Sequence, residues 1–316
     1  MSAPRFVALG GGHGLSATLR ALRPITTEIT AVVTVADNGG SSGRLRKEFP
    51  IFPPGDLRMA LAALCSDDEW GRNWAEILQY RFTSEGPLNA HAVGNLLLAA
   101  LWDRDGDPVA GLDQVGSLLR TVGRVLPMAS IPLDIEATFL NDGITSHVSG
   151  QVQVATAQGV LVSLSLVPEN PDARSETIQA IRDAEWITIG PGSWFSSVLP
   201  HFLVPAQSKA LIESTARKIV ILNLDAHPSA HGDEFAGYTP MEHLEMLSSY
   251  IPQMSLNYVV VDSLGLNDFS ELQARVESYG GELVVANLRD SSTSVHHDVE
   301  KLTSVLAHII GKSLVG

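Results

Sequence analysis

The run Ala36-Asp37-Asn38-Gly39-Gly40-Ser41-Ser42-Gly43-Arg44-Leu45-Arg46 sets three glycines, two hydroxyls and two guanidiniums behind the apolar stretch Ile29 to Val35. Glycines let a backbone approach a ligand closely, successive N–H groups form a concave donor nest, and an arginine fork such as that of Arg44 matches phosphate oxygens. A second loop of this kind, Gly10-Gly11-Gly12-His13-Gly14, follows the apolar Phe6 to Leu9 and precedes Leu15, Leu19 and Leu22 at helical spacing. Strand, glycine turn and helix in that order present free N–H groups and the positive end of a helix dipole to an anion. Gly12, Gly14 and Ala17 also satisfy the spacing G-x-G-x-x-A, with Asp37 where a ribose-binding acid follows the next strand. Consecutive glycines serve any phosphate, so these residues read as a nucleotide or phosphate site and do not single out a nicotinamide.

Further candidates carry a bland alternative beside the functional one. Asp37 is a ligand to ribose, magnesium or a phosphate-bound water, or a turn and helix cap. Asp56 and Arg58, behind the stiff Pro53-Pro54, are site residues or a helix-start acid with a solvated arginine. His91 and Asn95 share a face if a helix starts at His91, either as ligand contacts or as a core hydrogen-bond pair. Gly190-Pro191-Gly192-Ser193 forms a third strand-end turn, and Tyr238 could stack on a base or pack in a helix core with Leu244. Asp225, His227, His231, Asp233 and Glu234 lie on a Pro- and Gly-containing loop without the helical spacing of a zinc site, so they read as solvated loop residues. Ser41, Ser42 and Ser193 lack a G-x-S-x-G elbow, which argues against a hydrolase.

The 316 residues carry 21 basic and 35 acidic side chains, a net charge of -14, and 45% of them are hydrophobic. That is enough for a full core, and it argues against a nucleic-acid binder, which needs a basic surface. Arg44, Arg46, Lys47 and Arg58 nevertheless crowd one segment, an arrangement suited to a small anion. Cys65, the single cysteine, reads as a small buried hydrophobe, and the longest apolar run, Leu96 to Trp102, is too short to insert in a membrane. A cytoplasmic protein is expected.

Strands at Phe6 and Ile29 and helices from Leu15, from about Leu57, over Trp74 to Phe82 and from near His91 alternate as in a parallel sheet covered by helices. The pattern changes at Ile135 to Leu140, Thr145 to Val154 and Val160 to Val167, which read as strands of an antiparallel insert over about residues 134–168. The α/β rhythm returns with a helix from Arg174 to Ala184, strands at Trp186, Ile219, Tyr258 and Leu283, and a last helix from about Val295 to Ile310. No linker divides residues 1–316, which predicts a single α/β domain with that insert.

The segments Gly10 to Gly14, Val35 to Arg46, Pro53-Pro54-Gly55-Asp56-Leu57-Arg58 and His91-Ala92-Val93-Gly94-Asn95-Leu96, with Gly190 to Ser193 and Leu199-Pro200, together resemble the gluconeogenesis factors of the YvcK type. These are relatives of the 2-phospho-L-lactate transferases of coenzyme F420 synthesis (CofD-like). The resemblance implies a Rossmann-like three-layer α/β/α fold, a mostly parallel sheet, and binding of uridine-diphosphate sugars such as UDP-N-acetylglucosamine in the control of cell shape and wall synthesis during gluconeogenic growth. The transferase branch implies a magnesium-dependent transfer instead. The short serine-rich Gly40 to Arg44 loop resembles the gluconeogenesis-factor branch more closely.

On this reading the ligand contacts are Gly11, Gly12, His13, Gly14, Asp37, Asn38, Gly39, Gly40, Ser41, Ser42, Arg44, Asp56, Arg58, His91, Asn95, Gly190, Gly192, Ser193 and Tyr238. His13, Asn38 and Ala90 depart from the threonine, aspartate and glycine common in the family. Asn38 leaves Asp37 as a weak magnesium site, because an asparagine offers one charge less than a second aspartate. The expected partners are the nucleotide sugar and a regulatory protein, a homodimer is left open, and the polar loop Asp225 to Gly237 is the expected lid over the sugar.

Overall fold

The segments Phe6–Gly10 (β1) and Trp186–Ile189 (β7) are buried along their whole length, as strands covered on both faces must be. They lie side by side and parallel at the centre of a seven-stranded sheet. The structure is a computed structural model that describes residues 3–224, 238–264, 268–291 and 294–315. Beyond β1 the sheet continues through Ile29–Val33 (β2) to Arg124–Pro127 (β3). Beyond β7 it continues through Arg217–Ile221 (β8) and Tyr258–Asp262 (β9) to Glu282–Ala286 (β10). Every pairing is parallel, and the order is β10-β9-β8-β7-β1-β2-β3. The chain therefore winds one way from β1 and the other way from β7, so the crevice at their carboxyl ends is the topological switch point.

Helices cover this sheet. Gly12–Leu22 (α1) buries Leu15, Leu19 and Leu22 and packs on Pro54–Leu64 (α3) and on Val299–Val315 (α12). Gly40–Glu48 (α2) lies between β2 and α3, where the sequence reads as a loop because its buried face is made of Ser41, Ser42 and Gly43 instead of apolar side chains. Glu69–Gln79 (α4) starts earlier than its apolar residues suggest, since Asp68 caps it by accepting from Gly71 N. Val93–Asp105 (α5) starts two residues after His91, so His91 and Asn95 do not share a helical face. Pro108–Leu119 (α6), capped by Asp107, precedes β3. Ser175–Asp183 (α8), Pro205–Glu213 (α9), Pro240–Tyr250 (α10) and Ser270–Ser278 (α11) complete the set.

Asp134–Asn141 (β4), Ile144–Ser149 (β5) and Val160–Val167 (β6) form a separate antiparallel sheet in the order β5-β4-β6. The strand expected over Thr145 to Val154 ends at Ser149. There Gly150, at φ +97°, turns the chain into a short helix, Gln151–Thr156 (α7), which buries Val154. Phe139 of this sheet meets Phe195 edge to face at 5.7 Å, anchoring the insert beside the end of β7. Among the described residues no helix is long and apolar enough to cross a membrane.

Candidate functional site

A cleft of about 780 Å3 opens at the carboxyl ends of β1, β2, β7 and β8. Gly11, Gly12, His13, Gly14, Asp37, Asp56, Gly192 and Ser193, all anticipated from the sequence, line it. So do Arg20 of α1, Gln151 of α7, Ser197, Asn223 and the pair His296-His297, which sequence reasoning did not single out. Asn223 had a legible signal, its position directly after a strand in line with the other loops. Gln151 had none, because it reaches the cleft only through the turn at Gly150.

The glycine loops close on one another tightly. A methyl group on Gly11 would lie 2.6 Å from Thr34 Oγ1, 2.7 Å from Asp56 Oδ2 and 3.0 Å from Ser197 Oγ. One on Gly14 would fall onto the Pro191 carbonyl. Gly11 and Gly14 thus serve the packing of the loops on one another. Asn223 completes the arrangement, accepting from Gly192 N and donating to Gly192 O, both at 2.9 Å. Beneath the loop, His201 Nε2 lies 3.4 Å from the Gly10 carbonyl and Gln207 Nε2 lies 2.9 Å from His201 Nδ1. Burial pushes His201 down to about 4, so the ring stays neutral.

Two carboxylates occupy the floor. Asp37 Oδ1 accepts from Gly39 N at 2.8 Å, so it is at once a turn former and a cleft residue. Asp56 keeps an edge on the cleft, yet its carboxyl is enclosed deeply enough that burial, then the nearby Asp37, push it up to about 7. Arg58, the Gly12 backbone N–H and the nearby Thr34 hydroxyl pull the other way. At the rim the His13 and His296 rings stand 5.9 Å apart, and burial, His296 and Arg58 together lower His13. His297, deeper in, is pushed down to about 4 by burial.

The remaining predicted contacts lie outside the cleft lining. Asn38 Oδ1 accepts from Gln151 N at 3.1 Å, which turns its side chain toward α7. Gly39 and Gly40 open α2. Ser42 Oγ accepts from Gly55 N at 3.0 Å, and Ser41 Oγ joins His91 Nδ1 at 2.9 Å and Asn95 Nδ2 at 3.0 Å, all three residues being buried. Arg44 donates to the carbonyls of Pro87 and Asn89 at 3.3 and 2.7 Å, pinning the loop before α5. Arg58 is 2% exposed and packs against Gly94. Gly190, at φ +73°, carries the turn that ends β7. The Tyr238 hydroxyl bonds Leu161 N and Gly159 O, and its ring meets Phe195 edge to face, so it ties α10's start to β6. The expected lid, Asp225 to Gly237, with its Asp and His residues, lies outside the described residues.

A parallel sheet with glycine loops meeting at its switch point defines a Rossmann-like α/β protein with a strand-end ligand cleft. The family model for 2-phospho-L-lactate transferase CofD matches residues 6–315. A Mycobacterium tuberculosis protein provisionally named gluconeogenesis factor is 43% identical, the alignment covering 98% of this chain and 91% of the relative. The gluconeogenesis factor of Bacillus subtilis is 34% identical over 99% of this chain and 91% of its own length. The crystal structure of a UPF0052-family protein from Bacillus halodurans superposes with a TM-score of 0.83 at 31% identity, covering 97% of this chain and 99% of that one. The chain belongs to the CofD family, in the group whose members are named gluconeogenesis factors.

Proposed function

We propose that this chain binds a nucleotide sugar of the UDP-N-acetylglucosamine kind and acts as a gluconeogenesis factor through that binding, in the cytoplasm, controlling cell shape and wall synthesis on gluconeogenic carbon sources. The observation that carries the reading is the cleft of about 780 Å3 at the switch point, within the range of small-molecule sites of roughly 300–1,000 Å3 and large enough for a nucleotide sugar. Its Gly11 to Gly14 wall is the start of α1, where backbone N–H groups suit a diphosphate. Arg20 adds a guanidinium on the exposed side of the same helix. Occupancy would change the surface offered to a regulatory protein, since a ligand shifts a conformational balance by its differential affinity. A thermal-shift panel of nucleotide sugars, free nucleotides and dinucleotides tests this. Uridine-diphosphate sugars should stabilise the protein most, and stabilisation by dinucleotides alone would overturn the assignment.

A second reading, a magnesium-dependent transferase of the 2-phospho-L-lactate kind, is favoured by one observation. Asp37 and Asp56 both line the cleft, so a second carboxylate comes from α3 although Asn38 is turned away. Two carboxylates with the Thr34 and Ser197 hydroxyls close by are hard oxygen donors, a set that fits magnesium. Magnesium would be held by Asp37 and Asp56 and would offset their repulsion of a diphosphate. Mass spectrometry after long incubation separates the readings, because binding alone leaves the nucleotide sugar intact.

A further inference from the structure

The cleft changes character along its length. At one end, outside β2, stand Asp37 and Asp56, so close that a methyl group on Gly55 would lie 3.0 Å from Asp37 Oδ2. At the other, beyond β8 and beside the start of α12, the lining is Leu224, Val295 and Val299, with Val295 54% exposed. The Gly11 to Gly14 turn lies between these ends, because β1 stands between β2 and β8 in the sheet.

Among the insert's described residues only Gln151 lines the cleft, and it does so at the Asp37 end. Its backbone N–H donates to Asn38 Oδ1 at 3.1 Å, one residue from Asp37. Gly150, at φ +97°, permits that approach, since a methyl group on it would fall onto Asn38 Nδ2. Elsewhere in the insert Phe139 packs on Phe195, in the short helical turn Trp194–Val198 that carries Ser196 and Ser197 into the cleft. The position of Gln151 is therefore fixed through its backbone. Its half-buried carboxamide, in contrast, has no hydrogen-bond partner among the described residues. A held side chain with both donors and an acceptor unspent is suited to fixing how a ligand lies.

The chemistry of the two ends selects the part of the ligand for each. Two carboxyls repel a diphosphate, which leaves the phosphates to the glycine turn. Uracil carries more acceptors than donors on its edge and a flat apolar face, which matches the valine-lined end better than a floor of acceptors. A hexose ring is rich in hydroxyl donors, for which Asp37, Asp56 and the Gln151 carbonyl oxygen are acceptors. The Gln151 N–H groups are left for a sugar hydroxyl or acetamido oxygen.

We infer that the sugar lies at the Asp37 end of the cleft and the uracil at the Val295 end, with Gln151 the specificity-determining residue that reads the sugar. This rests on the reading of the cleft as a nucleotide-sugar site.

Calorimetry with UDP and UDP-N-acetylglucosamine on the wild type and on Gln151→Ala separates the two halves of the ligand. The wild type should hold UDP-N-acetylglucosamine more tightly than UDP. Gln151→Ala should weaken the sugar nucleotide about five- to tenfold while UDP affinity stays within about twofold. Gln151→Met, close to glutamine in length and helix preference, should give the same pattern without opening space beside α7. Both unliganded variants should melt with the wild type, since neither substitution removes a hydrogen bond among the described residues.

Equal weakening of both ligands would put the nucleoside at the Asp37 end, and unchanged affinities would take Gln151 off the ligand. Either result overturns the inference and leaves the nucleotide-sugar reading standing, as does a wild type that binds UDP and UDP-N-acetylglucosamine equally. A marked fall in melting temperature in both variants would show that Gln151 serves the fold, and also overturns it. Failure of the wild type to bind either ligand removes both readings.

Discussion

Asn223 and Gly192 exchange two hydrogen bonds of 2.9 Å, the side-chain amide of one matching the backbone amide of the other. The pair joins the loop after β8 to the loop after β7, and so fixes the wall of the cleft beside the start of α1. Asn223→Ala should cost about 1–3 kcal/mol, since the Gly192 donor and acceptor both lose their partner. It should also weaken nucleotide-sugar binding, because Gly192 lines the same cleft. Urea denaturation and calorimetry on the one variant check the two effects.

The Gly14 position separates packing from ligand approach. A methyl group there meets the Pro191 carbonyl, which is backbone and has little freedom to withdraw. Gly14→Ala should therefore destabilise the unliganded protein by roughly 1–3 kcal/mol or more. At Gly40, where φ is +47° and no atom lies within 4 Å of an added methyl group, Ala should cost about 1 kcal/mol through backbone strain alone. Equal effects at the two sites in thermal melts would contradict this account of the loops.

Asp56 gives the stability a particular pH dependence. Its carboxyl is raised from 3.8 to about 7, so the folded protein holds this proton more tightly than the unfolded chain. The Asp56 contribution is therefore favourable at low pH and is lost as pH rises from about 4 through 7. Asp56→Asn should remove that slope and stabilise the protein at pH 8 by on the order of 1–3 kcal/mol, a discounted share of about 1.4 kcal/mol per pKa unit. Magnesium binding, if Asp37 and Asp56 share the ion, should strengthen as pH rises through 7. Denaturation at stepped pH and a magnesium titration at pH 6 and 8 read the two effects.

His243 contributes the opposite slope. Burial pushes it from 6.5 down to about 4, and its ring lies 4.7 Å from and parallel to that of Trp194. The folded state keeps it neutral, so its contribution is full above 6.5 and is lost as pH falls toward 4. His243→Phe preserves the stack and removes the titration. The acid limb of a stability profile should become shallower by up to one proton, and an unchanged limb would show that His201 and His297 account for it.

The sheet, its glycine loops and the insert were legible because buried parallel strands and strand-end glycines leave plain local patterns. The start of α2 was not, since a helix whose buried face is Ser41, Ser42 and Gly43 carries no apolar periodicity. The cleft was legible where it is local, at Gly11 to Gly14, Asp37 and Asp56. It was opaque where distant segments converge, as with Gln151, His296 and His297, whose approach depends on tertiary packing. Asn38 and Tyr238 show the converse, polar groups at suggestive positions whose hydrogen bonds go to Gln151 and to β6.

Binding of a uridine-diphosphate sugar in the switch-point cleft is decided by one calorimetric comparison. UDP-N-acetylglucosamine should bind the wild-type protein saturably, one molecule per chain. Arg20→Glu, an exposed substitution on the cleft wall that leaves the core untouched, should weaken it at least about tenfold, the equivalent of 1.4 kcal/mol. Binding of equal strength in the two proteins would move the ligand away from this cleft, and absence of binding to the folded wild type would contradict the account altogether.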